Sequence, residues 1–208
     1  SHQSPSEESN RRNKVQHRYF EYGSGLFDLR VGHFYGMFGR GLTWASYDDR
    51  FIRVDTALDG LLGRGSFGPA AVTVFSGTTG TTPSFNDPAG TIVNSVDVRG
   101  ADVELKPLAG LMVGGSGLTF VPNLLPASDA IEREWVGAAR AGYNAPHANL
   151  YLEYGRKTGY ERDVTTLDRE IGLAFYGNLG VYAGPVTVSL ERSDYDGFRV
   201  LERSDGKQ

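Results

Sequence analysis

The chain has 208 residues, of which 22% are charged and 39% hydrophobic, enough apolar material for one domain with a real core and too much for wholesale disorder. A formal net charge of -4 leaves no basic footprint for nucleic acid, whose binding needs clustered Lys and Arg to release counterions. Cysteine is absent, which removes disulfides, thiolate catalysis and Cys-ligated zinc together.

In chain order, residues 1–16 are polar and lack the apolar run of a signal peptide, so they are expected to form a mobile tail, with any export signal outside this sequence. A β-domain is expected over 17–203 and a short tail over 204–208. Residues 19–22 read as a weak strand, and Gly23-Ser24-Gly25 as a tight bend. In the next stretch Phe27, Leu29 and Val31 alternate with Asp28, Arg30 and Gly32, the period of a strand with one oily face. A long connection over 36–55 follows. Weaker strands are expected at 57–64, where the best helical period of the chain is also found, and at 70–76, joined by a bend at 65–69.

A second long connection covers 77–94. Beyond it Val96 and Val98 oppose Asp97 and Arg99. A bend at 106–110, a strand at 111–121, a long connection at 122–133 and a strand at 134–143 come next. After a bend at 144–146, Leu150, Leu152 and Tyr154 oppose Tyr151, Glu153 and Gly155. Residues 157–166 read as the fourth long connection. Ile171, Leu173 and Phe175 then oppose Glu170, Gly172 and Ala174, and, past a bend within 177–185, Val186, Val188 and Leu190 oppose Thr187, Ser189 and Glu191.

Tight and long connections therefore alternate, with Gly, Pro or Asn at the tight ones to supply the backbone angles of a reversal. In an up-and-down meander every second connection lies at the same end, so one end is trim and the other elaborate, as in outer-membrane barrels. The 28 glycines suit such turn-rich β structure. No apolar run approaches the ~18 residues of a spanning helix, a test that strands of alternating hydropathy escape. Phe34, Tyr35, Tyr143, Tyr160, Tyr176, Tyr182, Tyr195 and Phe198 fall near strand ends, where rings would lie at a membrane interface.

The candidate chemical motifs are thin. Gly63, Gly65 and Gly68 in LLGRGSFGPAAVTVF match G-x-G-x-x-G, yet the following strand lacks the lysine of a kinase and no helix opens there for a dinucleotide. His2, His17, His33 and His147 have no paired ligand spacing, so neither metal nor other cofactor is expected. Asp48 and Asp49 are neighbours, which a strand sends to opposite faces rather than to one glycosidic bond. No G-x-S-x-G elbow is present.

The stretch HFYGMFGRGLTWASYDDR resembles a motif of an uncharacterised family of bacterial outer-membrane β-barrel proteins, with F-Y, F-G-x-G-L, Y and an acidic-x-R ending. The matching positions are Phe34, Tyr35, Phe38, Gly39, Arg40, Gly41, Leu42, Tyr47, Asp48, Asp49 and Arg50. The resemblance implies a porin-type barrel of unknown substrate, longer than this chain, and brings no catalytic residue. It suggests a segment folded inward across the barrel, with Gly39 and Gly41 permitting close approach and Arg40 and Arg50 pairing carboxylates.

The expected architecture is thus an all-β antiparallel meander of about ten strands, a transmembrane barrel or a section of one in the bacterial outer membrane. Asp28, Arg30, Asp97, Arg99, Glu153 and Glu170 would line a wet lumen open to small solutes, and Leu29, Val31, Leu152, Leu173 and Val188 would meet lipid. The chain reads as a structural or channel-like protein and not an enzyme. Its rivals are a soluble β-sandwich or barrel that binds carbohydrate or mediates adhesion, and an outer-membrane hydrolase with its site among the long loops.

Overall fold

The computed structural model describes residues 18–46, 48–49, 54–79, 82–83, 93–123, 133–162 and 167–198. Ten strands carry the architecture: β1 (Tyr19–Gly23), β2 (Phe27–Phe34), β3 (Leu58–Phe67), β4 (Ala70–Thr79), β5 (Val93–Leu108), β6 (Leu111–Asn123), β7 (Glu134–Ala145), β8 (Ala148–Arg162), β9 (Leu167–Ala183) and β10 (Val186–Asp196). They lie side by side in chain order, each antiparallel to its predecessor, with Thr82–Pro83 paired onto the start of β5. Among the described residues β1 and β10 do not pair with each other. No described helix is long and apolar enough to cross a membrane, a statement with no bearing on strands.

The trim end is built by two-residue turns and, between β1 and β2, a three-residue one. Gly68, Gly110 and Gly184 hold φ of 59°, 80° and 60°, the left-handed values such reversals require. Of the three glycines in the G-x-G-x-x-G match, only Gly68 is in the bend; Gly63 and Gly65 lie within β3. The chain over 58–64 is strand rather than helix, and Leu61 and Leu62 face opposite sides of it. One expected loop is also corrected. Residues 157–162 continue β8, laddered to β9 from Lys157↔Gly172 to Arg162↔Leu167, because Lys157 turns its charge onto the same side as Glu134 rather than leaving the sheet.

Register defines the two faces. One row runs Arg30↔Leu62, Leu62↔Phe75, Phe75↔Gly100 and Gly100↔Leu118. It continues through Leu118↔Val136 and Val136↔Lys157. We call this the inner face, because the apolar cluster of Phe34, Leu58, Leu62, Phe75, Val98, Leu118, Phe120 and Val136 is buried on it.

The opposite, outer face is apolar and uncovered. Leu152, Leu173 and Val188 are 39%, 37% and 59% exposed, so they do not lie in a dry centre between two layers. With Val31, Leu61, Val74, Val103, Leu105, Leu150, Ile171 and Leu190 they make a continuous exposed band, far beyond the scattered apolar residues of a soluble surface. Trp135 and Tyr143 mark its two rims on β7, both half-exposed. They stand roughly 27 Å apart along the strand at about 3.4 Å per residue, which is roughly 20 Å along the membrane normal at a tilt of about 40°.

Candidate functional site

The inner face is occupied by the segment that follows β2. Gly36–Met37 ladders with Ala45–Ser46, and the reversal between them is closed by Phe38 N–H donating to the Trp44 carbonyl at 3.0 Å and Gly41 N–H to the Phe38 carbonyl at 2.8 Å. The hairpin presents an aromatic underside. Trp44 stacks on Phe75 with centroids 4.2 Å apart, while Phe38 meets Trp44 edge-on at 5.1 Å and Phe34 meets Phe75 at 5.8 Å. Such pairs add about 0.5–1.5 kcal/mol each beyond the area they bury. They explain why an inward strand face carries Phe and Val instead of polar residues.

The tip is fastened to β8. Glu153, 1% exposed, accepts at Oε2 from the Arg40 backbone N–H at 2.9 Å and from the Tyr151 hydroxyl at 2.7 Å. Gly39 is favoured here for two reasons. Its φ is +54°, which costs a side chain backbone energy, and a Cβ would meet Glu153 Oε1 at 2.5 Å and push the carboxylate aside. Thr43 Oγ1 and Ser116 Oγ share a buried hydrogen bond of 3.0 Å, a second attachment point. The guanidinium of Arg40 takes no part in these bonds; its Cζ lies 5.3 Å from the Tyr151 ring centroid.

Away from the apolar cluster the inner face is ionic. Arg140 forks onto Asp102, Nη1 to Oδ1 at 2.6 Å and Nη2 to Oδ2 at 2.9 Å, and reaches Glu104 at 3.4 Å, the bidentate geometry that makes Arg–carboxylate pairs strong. Lys157 Nζ meets Glu134 Oε1 at 3.2 Å, and Arg30 meets Glu21 at 3.9 Å while covering the Tyr19 ring. Arg30 Nε, Glu134 Oε2, Asn149 Oδ1 and Glu153 Oε1 are buried without a hydrogen-bond partner. All of them belong to inner-face rows. Burying an unsatisfied polar atom costs about 1–3 kcal/mol, which water on this face would relieve.

The sequence-expected residues divide. Asp28, Arg30 and Glu153 are on the inner face, and Glu170 shares its row through Gly159↔Glu170. Asp97 and Arg99 are not. They pair with Thr78 and Ser76 on the outer face, Thr78 Oγ1 donating to Asp97 at 2.7 Å, and stand beyond the apolar band toward the long connections. The reason is that Val98 is needed inward, against Phe120 and the folded-in segment. In the motif, Phe34 and Phe38 join the core, Tyr35 is half-buried and Gly39, Arg40 and Gly41 form the tip. Asp49 pairs by backbone with Val54, whereas Tyr47 and Arg50 lie outside the described residues. Arg40 uses its backbone N–H on a carboxylate, not the expected guanidinium.

Of the aromatics expected at the rims, Phe34, Tyr176, Tyr182 and Tyr195 fall on inner rows. Asp102, Glu104, Arg140, Tyr151 and Lys157 were not anticipated. The signal for Asp102 and Glu104 was present: the oily positions of β5 change from even (Val96, Val98) to odd (Val103, Leu105) across Gly100.

No curated protein matches this sequence. A family model described as a family of unknown function, DUF6029, matches residues 6–207. Solved structures of outer-membrane proteins share the fold. In-vitro folded OmpT, an outer membrane protein of Vibrio cholerae, superposes with a TM-score of 0.58 at 15% identity, over 86% of this chain and 52% of that one. Its loop L8 deletion mutant does so at 0.57 and 15%, over 86% and 56%. OmpT of the same organism expressed in the outer membrane does so at 0.55 and 13%, over 88% and 70%. The chain spans about half the length of the first two structures. The fold is that of a bacterial outer-membrane β-barrel, in agreement with the location implied by the sequence. The expectation that the chain is not an enzyme is corrected by the same likeness: at this identity the OmpT barrels share fold alone, a barrel fold hosts unrelated functions, and the exclusion of catalysis does not stand.

Proposed function

We propose that this chain, which belongs to DUF6029, a family of unknown function, is a wall of an outer-membrane barrel that passes small solutes along a polar interior. The observation that carries this reading is the division of the sheet. Its outer face is an uncovered apolar band, and every buried side-chain polar atom without a hydrogen-bond partner among the described residues is on the other side. Lipid is the fitting partner for the first face and water for the second.

In this reading Asp28, Arg30, Asp102, Glu104, Arg140, Glu153 and Glu170 line the pathway, and residues 36–46 narrow it. The protein folded into a planar lipid bilayer is expected to give discrete conductance steps. Deleting residues 38–44 and bridging the Gly36–Ser46 ladder with a two-residue turn is expected to enlarge them. Bilayers that stay electrically silent with both forms, under conditions where the protein is inserted and protease-resistant, would sink the proposal.

A further inference from the structure

We infer that Tyr151, Tyr176 and Glu153 form a binding site for an organic cation, an ammonium or guanidinium group, and that Arg40 is its tethered resident. Three observations converge on the same few ångströms of the inner face.

The first is a carboxylate with an unused oxygen. Glu153 Oε2 accepts two hydrogen bonds, but Oε1 accepts none although it is buried. Among the described residues no cationic side chain is within ion-pair distance of it. The neighbour across the ladder, Arg140, is committed to Asp102 and Glu104. A carboxylate removed from water without a counter-ion is costly, so the site is electrostatically incomplete.

The second is a pair of rings. The Tyr151 and Tyr176 centroids are 6.1 Å apart with planes at 63°, and Tyr176 sits opposite Glu153 in the β8–β9 ladder. Rings held edge to face beside a carboxylate are the arrangement that recognises organic cations, the ring faces attracting the charge and the carboxylate neutralising it. Glu191 of β10, against the Tyr176 hydroxyl, adds negative charge on the same side.

The third is that a cation is already there, on a leash. Arg40 is exposed, and its Cζ lies 5.3 Å from the Tyr151 ring centroid. It rests on the ring without reaching Glu153 because its own backbone N–H holds Oε2 and fixes the start of the side chain. A free guest has no such restraint. It can lie over Tyr151 and turn its charge toward the buried Glu153 carboxylate, which Arg40 cannot.

The inference needs an accessible inner face but not conduction, so its test is a binding measurement. Titration of L-arginine methyl ester into the full chain, folded in detergent, is followed by calorimetry, with the neutral citrulline methyl ester as control. Arg40→Ala is expected to bind the arginine ester about tenfold more tightly than wild type, the scale of one cation–ring contact freed from competition. Arg40→Lys, which keeps a tethered cation, is expected to stay near wild type. In the Arg40→Ala background, Glu153→Gln and Tyr151→Leu are expected to abolish the gain and Tyr151→Phe, which keeps the ring, to retain most of it. Heat-modifiable gel migration and β-type circular dichroism establish that each variant is folded; Glu153→Gln keeps acceptors for the Arg40 and Tyr151 bonds. The inference is overturned if Arg40→Ala binds no tighter than wild type, if Glu153→Gln leaves the gain intact, or if the citrulline ester binds equally well.

Discussion

The wall beneath residues 36–46 and the wall at β10 belong to one sheet, yet they differ in nearly every physical respect. In β3, Leu58 and Leu62 are buried at 2% and 3% exposure, whereas all 11 residues of β10 are exposed. Part of this is position, since among the described residues β10 is laddered on one side only, to β9, whereas β3 lies between β2 and β4. The rest is the hairpin that follows β2, which brings Phe38 and Trp44 onto Phe75 and turns part of a wet face into a packed core. In this protein interior burial is supplied by a folded-in segment, and the outer face is left uncovered.

The largest effect that would break the comparison is removal of the ring at its centre. Trp44→Ala is expected to lower the stability of the folded protein by about 3–5 kcal/mol, the cost of deleting a large buried ring with partial collapse of the cavity. Leu190→Ala on β10, 66% exposed, opens no cavity and is expected to cost less in detergent, at most the transfer of its lost methyl groups into the micelle, about 2 kcal/mol. Denaturant unfolding of both variants in the same micelles checks it; equal losses would mean that the hairpin does not consolidate the wall it covers.

That asymmetry also explains how much was readable beforehand. Strands such as Phe27–Phe34 and Val186–Asp196 were legible because oil on one side and charge on the other follow a simple period. The bends at Gly68, Gly110 and Gly184 were legible because reversals need positive φ. Where the hairpin packs, oiliness ceases to report the outside. Val98 is as apolar as Val103 but faces the opposite way, and Asp97 and Arg99 were misplaced for that reason. The ionic cluster was invisible for another reason: Asp102, Arg140 and Glu153 come from three strands, and only the register joins them.

A smaller effect sharpens the contrast between ion pairs. Arg140 and Arg192 both bond carboxylates, but Arg140 is buried between Asp102 and Glu104 while Arg192 reaches exposed Asp194 at 3.5 Å. Arg140→Ala strands Asp102 on the inner face, Glu104 keeping Lys106 at 3.2 Å, and is expected to cost about 3 kcal/mol, the lower end for a buried pair broken from one side because water reaches this face. Arg192→Ala is expected to cost at most about 1 kcal/mol. Unfolding at low and high salt checks the pair: added salt should shrink the Arg192 effect and leave most of the Arg140 effect.

The smallest and most specific effect concerns the tip. Gly39 and Gly184 have nearly the same backbone, φ of +54° and +60°, but a Cβ at Gly39 would strike Glu153 while one at Gly184 would meet nothing within 4 Å. Gly184→Ala therefore reports the left-handed backbone alone, about 1–2 kcal/mol. Gly39→Ala carries that cost plus the loss of contact with Glu153, and is expected to exceed it by about 1 kcal/mol, the net worth of one hydrogen bond. In a Glu153→Ala background the obstacle is gone, so the excess should vanish and the two glycine substitutions should cost the same. A double-mutant cycle that left the Gly39→Ala penalty unchanged by the removal of Glu153 would show that the tip is held by its own turn and not by the wall.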